Sequence, residues 1–290
     1  MMFRAFLATL GALCLWAGAA AAEPSQVDIP DGDVTLHATL YRPDGTGPFP
    51  AVVALHDCDG LAQRPAGEPP AANQAGSQAS AGAQAYAEWA KLLVGAGFVV
   101  IFPDSFGSRG IGPQCREQNR KVRASRERVN DANASRLWLQ GQNFVRSDRI
   151  SLLGWSNGGV AALWAIRPTV APRDNSKDFR SAVALYPSCR RLRETAWSGR
   201  VPTLILIGGS DDWTPAGACQ QMVAGARGRS AKVQIVVYPG AHHQFDWVNV
   251  PVRLRTGLVN TVDPSGKAHG GTNPIARSDA LKRVPEWLAR

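Results

Sequence analysis

Short apolar stretches rich in β-branched residues recur along the chain, separated by longer segments whose apolar positions have helical spacing. Such runs are typical of buried strands. The pattern predicts strands at 34–41, 51–55, 98–102, 150–154, 182–186, 203–207 and 233–238, and helices at 86–94, 117–140, 159–166, 215–226 and 277–288. Because alternating strands that are apolar on both faces need cover on both sides, we expect an α/β domain. Its central sheet should be mostly parallel, with about seven or eight strands and helices on both faces.

Two segments interrupt this alternation. Residues 61–84 are rich in Ala, Gly, Gln, Ser and Pro, which predicts a long mobile loop after the strand at 51–55. That loop would overhang the carboxyl edge of the sheet, where it could act as a lid or be a neutral insertion. A glycine-rich stretch at 256–273 separates the last strand from the final helix. Neither is a domain boundary, so residues 23–290 are expected to form one domain.

The N-terminus has the features of a secretory signal peptide at 1–22. Arg4 is followed by an apolar run at 5–18 and then by small residues ending in three alanines at 20–22. The run is too short for a spanning helix, although a retained anchor is the alternative. We therefore expect an exported protein, periplasmic or secreted, without stable membrane association.

The chain is basic, with 32 Lys and Arg against 23 Asp and Glu and a formal charge of +9, or +8 after loss of Arg4. Ten basic residues face four acids between positions 109 and 149. A nucleic-acid footprint would need aromatic interleaving or a recognition-helix pattern, which this segment lacks, so a solvated helix face is favoured. We expect no nucleic-acid partner and a monomer or weak dimer.

Four cysteines remain after removal of the signal peptide, which takes Cys14 with it. In an oxidising compartment they should pair, and three pairings are possible. We favour Cys58 with Cys115 and Cys189 with Cys219, because each pair lies on consecutive loops at one end of the predicted sheet. No Cys-x-x-Cys is present and the histidines lack the spacing of zinc ligands, so neither a metal nor a cofactor is expected.

The sequence Gly-Trp-Ser-Asn-Gly at 154–158 is a G-x-S-x-G motif between a predicted strand and a predicted helix. This context is the one in which such a motif holds an exposed nucleophilic serine on a sharp turn. Ser156 is therefore the candidate nucleophile, and a helix-capping serine is the alternative.

A serine nucleophile needs a histidine and an acid later in the chain. Ser-Asp-Asp-Trp-Thr-Pro at 210–215 and Tyr-Pro-Gly-Ala-His-His-Gln-Phe at 238–245 follow the next two candidate strands. The acid is Asp211 or Asp212, and the base is His242 or His243. Adjacent residues of an extended chain point in opposite directions, so one of each pair should reach Ser156.

These three motifs together resemble the dienelactone hydrolase family, and the resemblance covers nearly the whole mature chain. It implies an α/β-hydrolase fold. In that family the acid stands four residues before a proline and the base lies in a Gly-Ala-x-His-x-Phe pattern, which here indicates Asp211 and His243. The family's namesakes carry a cysteine nucleophile, whereas this chain has Ser156, which favours serine-esterase chemistry.

The loop at 56–60, His-Asp-Cys-Asp-Gly, differs from the His-Gly common among relatives. We still expect it to supply one backbone N–H of an oxyanion hole, from Cys58, with Asn157 supplying the other. His56 is expected to order this loop through hydrogen bonds. The aspartates of the loop resemble the start of a calcium site, but the later ligands are missing.

Three further side chains are candidates for the substrate pocket. Trp155 and Trp213 flank the nucleophile and the acid, so they could line an acyl pocket or pack in the core. Arg109 could bind a substrate carboxylate, or it could form a structural ion pair with Asp104.

The sequence thus predicts a serine hydrolase that cleaves carboxylic esters or lactones through an acyl-enzyme. Only 55 residues separate Ser156 from Asp211, which leaves no room for a large cap domain. A peptidase or acyltransferase with the same residues is one alternative. A non-catalytic secreted binding protein on the same fold is another.

Overall fold

The computed structural model describes residues 23–61, 74–172 and 176–290. Its centre is a sheet of eight strands: β1 (Ser25–Asp31), β2 (Val34–Tyr41), β3 (Phe49–Leu55), β4 (Val99–Pro103), β5 (Val145–Trp155), β6 (Ala182–Leu185), β7 (Thr203–Gly208) and β8 (Val233–Tyr238). Their order in the sheet is β1-β2-β4-β3-β5-β6-β7-β8. The β1–β2 and β2–β4 pairs are antiparallel, and all other pairs are parallel. The predicted mostly parallel sheet is confirmed.

The central strands are covered on both faces. Every residue of β4, β6 and β7 is buried, and successive residues of a strand point to opposite faces. Both faces must therefore be packed, which explains why these strands are apolar without alternation. The edge strand β8 is only half-buried over most of its length.

Six α-helices accompany the sheet within the described ranges: α1 (Gln74–Gly95), α2 (Glu127–Gln140), α3 (Asn157–Ala165), α4 (Arg190–Glu194), α5 (Ala216–Gly225) and α6 (Pro274–Leu288). Helices α2 and α3 pack on each other and on β5, α4 packs on α5, and α1 packs on α6. No helix in these ranges has the length and apolar character needed to cross a membrane.

The structure differs from the sequence-based expectation near the predicted loop at 61–84. Helix α1 begins at Gln74 rather than at Tyr86, so the second half of that segment is helical. Its many alanines and glutamines are strong helix formers, which outweighs the interspersed glycines and serines. Residues 62–73, which are half of the proposed lid, lie outside the described residues, as does the predicted signal peptide at 1–22.

Strand β1, the short helix α4 and both strands of a second sheet are absent from the sequence-based prediction, because they are short or polar. Strand β1 begins with polar residues and pairs with one neighbour only, so the apolar pattern of a buried strand is absent. A second, two-stranded sheet pairs β9 (Arg253–Arg255) with β10 (Ala268–Gly270) inside the glycine-rich stretch. Gly270 also forms a bridge to His243, which places this small sheet beside the ends of β7 and β8.

Candidate active site

Ser156 lies on a sharp turn between β5 and α3, with φ 49° and ψ −111°. This positive φ is a strained conformation for a residue with a side chain. The turn depends on the glycines two positions to either side. A Cβ on Gly154 would come within 2.3 Å of the Gly158 carbonyl oxygen, and one on Gly158 within 1.9 Å of the Leu55 carbonyl oxygen. The motif thus holds Ser156 at the carboxyl edge of the sheet.

The structure brings Asp211 and His243 to Ser156. His243 Nε2 is 2.9 Å from Ser156 Oγ, and His243 Nδ1 is 2.8 Å from Asp211 Oδ2. All three residues are buried, with exposed fractions of 6% for Ser156, 4% for Asp211 and 0% for His243. They follow β5, β7 and β8, whose carboxyl ends lie at the same edge of the parallel sheet.

The Asp211 carboxylate is held in a fixed orientation. Its Oδ1 accepts hydrogen bonds from the backbone N–H groups of Trp213 (3.0 Å) and Thr214 (2.7 Å). Its Oδ2 faces His243 and also accepts from the Thr214 hydroxyl at 2.9 Å. One oxygen is therefore anchored by the backbone while the other is directed at the imidazole.

The imidazole of His243 packs against two aromatic rings. Its centroid is 4.5 Å from that of Tyr186 and 4.6 Å from that of Trp213. Tyr186, itself at φ 38°, donates its hydroxyl hydrogen to Asp246 Oδ1 at 2.7 Å. Burial raises the pKa of the Tyr186 hydroxyl well above its ordinary value, so it remains a donor.

Asp246 is a structural residue that sequence reasoning missed. It is fully buried, and besides Tyr186 it accepts from the indole N–H groups of Trp89 (2.8 Å) and Trp155 (2.9 Å). Burial raises the pKa of this carboxyl, while its three donors oppose that shift. The only sequence signal was its position directly after the Gly-Ala-x-His-x-Phe pattern. Asp246 thereby links Tyr186, which packs against His243, to the buried indoles of Trp89 and Trp155.

Trp155 therefore does not line a substrate pocket. It is 1% exposed, its indole N–H is bonded to Asp246, and its ring stacks on Phe102 at 6.1 Å. Because residues before the turn still belong to β5, the side chain of Trp155 points into the core rather than toward the cavity.

Arg109 does not reach the candidate site either. Its guanidinium forms a bidentate pair with the buried carboxylate of Asp131, at 2.7 and 3.2 Å. Asp104, the partner considered from the sequence, instead accepts from the backbone N–H groups of Phe106 and Gly107. Arg109 therefore forms a structural ion pair, but the predicted partner Asp104 is wrong and the acid is Asp131 of α2.

The loop after β3 lies against the turn that carries Ser156. Cys58 is linked to Cys115 by a disulfide, and its carbonyl accepts from the Gln114 N–H at 2.6 Å. The Asn157 side chain accepts from Arg128 at 2.7 Å. No acceptor in the described ranges is paired with the backbone N–H of Cys58 or of Asn157. Cys58 and Asn157 also line the same cavity as Ser156.

His56 orders this loop, as its hydrogen bonds show. Its Nε2 accepts from the Ser105 N–H (3.3 Å), so its Nδ1 carries the proton and donates to the Asp57 carbonyl (2.7 Å). Burial, and then the nearby charge of Arg128, lower the pKa of His56 well below its ordinary value. The residue is a neutral structural histidine.

Ser156 lies in the wall of a cavity of about 470 Å³, which Cys58, Asn157, Trp213 and Thr214 also line. Of the charged side chains in this wall four are basic and one is acidic: Arg120, Arg123, Arg190, Arg191 and Glu194. Arg123 is paired with Glu127, whereas Arg190 and Arg191 form no ion pair with any described residue. The rim of the cavity therefore carries excess positive charge.

The second disulfide supports that rim. It joins Cys189, at the start of α4, to Cys219 of α5. Helix α4 has only five residues and could not be stable alone. The disulfide and its packing on α5 hold the backbone that carries Arg190 and Arg191.

The chain is similar to a known protein family, to a curated protein and to several solved structures. A sequence profile of the dienelactone hydrolase family matches residues 77–290. An uncharacterized protein of Mycobacterium tuberculosis is 30% identical over 175 residues, which cover 54% of this chain and 57% of that protein. The chain therefore spans little more than half the length of this curated relative.

Among solved structures, a Klebsiella pneumoniae protein described as a dienelactone hydrolase is 19% identical (TM-score 0.65), covering 93% of this chain and 99% of that one. A dienelactone-hydrolase-like promiscuous phosphotriesterase from metagenomic libraries is 16% identical (TM-score 0.63; 93% and 98%). Esterase 2 of Thermogutta terrifontis, phosphorylated by paraoxon, is 17% identical (TM-score 0.62; 92% and 93%). At these identities the likeness establishes the fold.

Proposed function

The chain belongs to the dienelactone hydrolase family, and from this we propose that it is a serine hydrolase that cleaves carboxylic esters or lactones through an acyl-enzyme. The main support for this proposal is one observation. Ser156, His243 and Asp211 form a continuous line of hydrogen bonds whose serine end opens onto a cavity. A structural serine would not need a buried histidine–carboxylate pair behind it.

In the proposed reaction, Ser156 Oγ attacks the carbonyl carbon while its proton moves to His243 Nε2. The backbone N–H groups of Cys58 and Asn157 stabilise the resulting oxyanion. His243 then donates the proton to the leaving alkoxide, which departs as the alcohol. Water, deprotonated by His243, attacks the acyl-enzyme and releases the acid and free Ser156. Asp211 holds the imidazole in the tautomer with hydrogen on Nδ1.

The charged rim favours substrates that carry an anionic group. A cavity of about 470 Å³ accommodates a small molecule. Arg120 lies deeper than the other arginines, and burial lowers the pKa of its guanidinium, while Arg190 and Arg191 are exposed. A carboxylate-bearing ester or lactone would match these donors better than a neutral one.

Replacing Arg191 by glutamine should lower kcat/KM for an anionic ester about 5-fold, because an exposed ion pair contributes about 1 kcal/mol. The value for a neutral ester of the same size should change little. Both are measured by hydrolysis of matched esters that differ by one carboxylate. Arg193→Gln, on the same helix but outside the cavity wall, is the control. An equal loss of kcat/KM on both esters would show that Arg191 does not bind the carboxylate of the substrate.

A panel of substrates tests the reaction class. The same acid is offered as an ester, a lactone and an amide, with and without an acceptor alcohol. We expect hydrolysis of the ester or lactone, with the free acid as the main product. Faster cleavage of the amide would indicate a peptidase, and dominant transfer to the alcohol an acyltransferase. No turnover and no reaction with a fluorophosphonate probe would indicate a binding protein.

We also propose that the protein is exported. The predicted signal peptide at 1–22 motivates this, and the two disulfides support it because such bonds persist in oxidising compartments. Detection of the mature N-terminus near Glu23 in a periplasmic or culture-medium fraction would support export. Retention of the full chain in the cytoplasm would contradict it.

A further inference from the structure

Three potential metal ligands from separate segments of the chain converge beside the triad. Asp212 follows β7, His242 follows β8, and His269 lies in β10. One ligand atom from each lies within 4.8 Å of the other two. Their positions in the chain are far apart, which is why sequence spacing gave no sign of a metal site.

Contacts within the cluster already orient two of the ligands. Asp212 Oδ1 accepts from the His269 backbone N–H, and Asp212 Oδ2 is 2.7 Å from His269 Nδ1. The His242 and His269 rings are 5.4 Å apart. His242 Nδ1 is buried and has no hydrogen-bond partner. A buried, unsatisfied imidazole nitrogen is costly, and a ligand can offset that cost.

We propose that Asp212, His242 and His269 form a binding site for one divalent transition-metal ion, with Zn²⁺ as the best fit. Two imidazole nitrogens and one carboxylate oxygen suit Zn²⁺ and its neighbours in the first row, whereas Ca²⁺ and Mg²⁺ prefer sites made of oxygen alone. Three protein ligands leave a fourth position for water. All three residues are partly exposed, so an ion can enter from solvent.

Metal binding would change the tautomer of His269. Its Nδ1 donates to Asp212 Oδ2. Zn²⁺ binds neutral imidazole, so an ion coordinated by His269 Nδ1 would require the ring hydrogen to move, through solvent, from Nδ1 to Nε2. The ion would also join the loops after β7 and β8 to β10. Because it binds the folded chain, it should stabilise that state in proportion to the logarithm of its free concentration.

The test uses the chelator-treated full-length mature protein and isothermal titration with ZnCl₂. We expect one Zn²⁺ per chain with a dissociation constant of about 10 μM or tighter. His242→Ala and His269→Gln should each weaken binding at least about 10-fold. Zn²⁺ in 100-fold excess over the wild-type dissociation constant should raise Tm of the wild type clearly more than that of either variant. Mg²⁺ and Ca²⁺ should neither bind at this site nor raise Tm.

The chain supplies a matched control. His37 Nδ1 pairs with Asp28 Oδ1 at 2.7 Å, the same contact as in the His269–Asp212 pair, but on the surface and outside the three-residue cluster. His37→Ala should bind Zn²⁺ like the wild type. If His37→Ala lost as much Zn²⁺ affinity as the two cluster variants, the binding would be assigned to surface histidines in general. Absence of binding by the wild type up to about 1 mM, or unchanged binding by folded His242→Ala and His269→Gln, would also overturn the proposal.

Discussion

Replacing Ser156 by alanine should lower kcat for ester hydrolysis by about 10⁴-fold or more, because among the described residues no other hydroxyl is hydrogen-bonded to His243 Nε2. Alanine keeps the Cβ that already occupies this strained turn at φ 49°, so the fold should be retained. Initial rates with an activated aryl ester would measure the loss. A fluorophosphonate probe should label the wild type at one serine and leave Ser156→Ala unlabelled.

Ser265→Ala is the control for this experiment. Ser265 lies on an exposed turn and bonds only to Asp263, so both hydrolysis and labelling should match the wild type. If Ser156→Ala retained activity within about 10-fold of the wild type, or if the probe labelled another serine, the proposed nucleophile would be wrong.

Asp211→Asn should lower kcat by roughly 10⁴-fold without disrupting the fold. The backbone N–H groups of Trp213 and Thr214 donate to Oδ1, so they should hold the amide oxygen of asparagine at that position. The NH₂ group would then face His243 Nδ1 in place of Oδ2. Because that group donates, the imidazole must carry its hydrogen on Nε2, where it cannot accept the Ser156 proton. Steady-state rates would measure the loss of kcat, and far-UV circular dichroism would check that the fold is retained.

Asp28→Asn is the matched control, since Asp28 pairs with His37 as Asp211 pairs with His243, but at the exposed surface. Its kcat should equal that of the wild type. A folded Asp211→Asn enzyme with kcat within about 10-fold of the wild type would show that Asp211 does not set the tautomer of His243.

The residue pattern alone does not decide which of two neighbouring aspartates and which of two neighbouring histidines reaches Ser156. Two aspartates follow β7 and two histidines follow β8, and composition does not distinguish the members of each pair. The family resemblance indicates Asp211 and His243, and in the structure these two lie at Ser156. The other two, Asp212 and His242, instead face His269.

Side chains whose partners are distant in sequence were the hardest to predict. Arg109 lies 22 residues from Asp131, and Trp155 lies 91 residues from Asp246. No local pattern encodes these contacts, since they depend on how strands and helices stack. For the same reason Asp246 and the unpaired arginines of the cavity rim had no sequence signature.

By itself, the sequence determined the order of the seven predicted strands and of the five longer helices, and the turn at Ser156. These features depend on local properties: apolar periodicity, and glycines where a Cβ would collide with the backbone. Only the tertiary structure decided which side chains meet at the carboxyl edge. Strand pairing aligns β5, β7 and β8 across the sheet, and the resulting directions of single residues select one aspartate and one histidine for Ser156. Long-range packing sets those directions, and no short stretch of sequence contains that information.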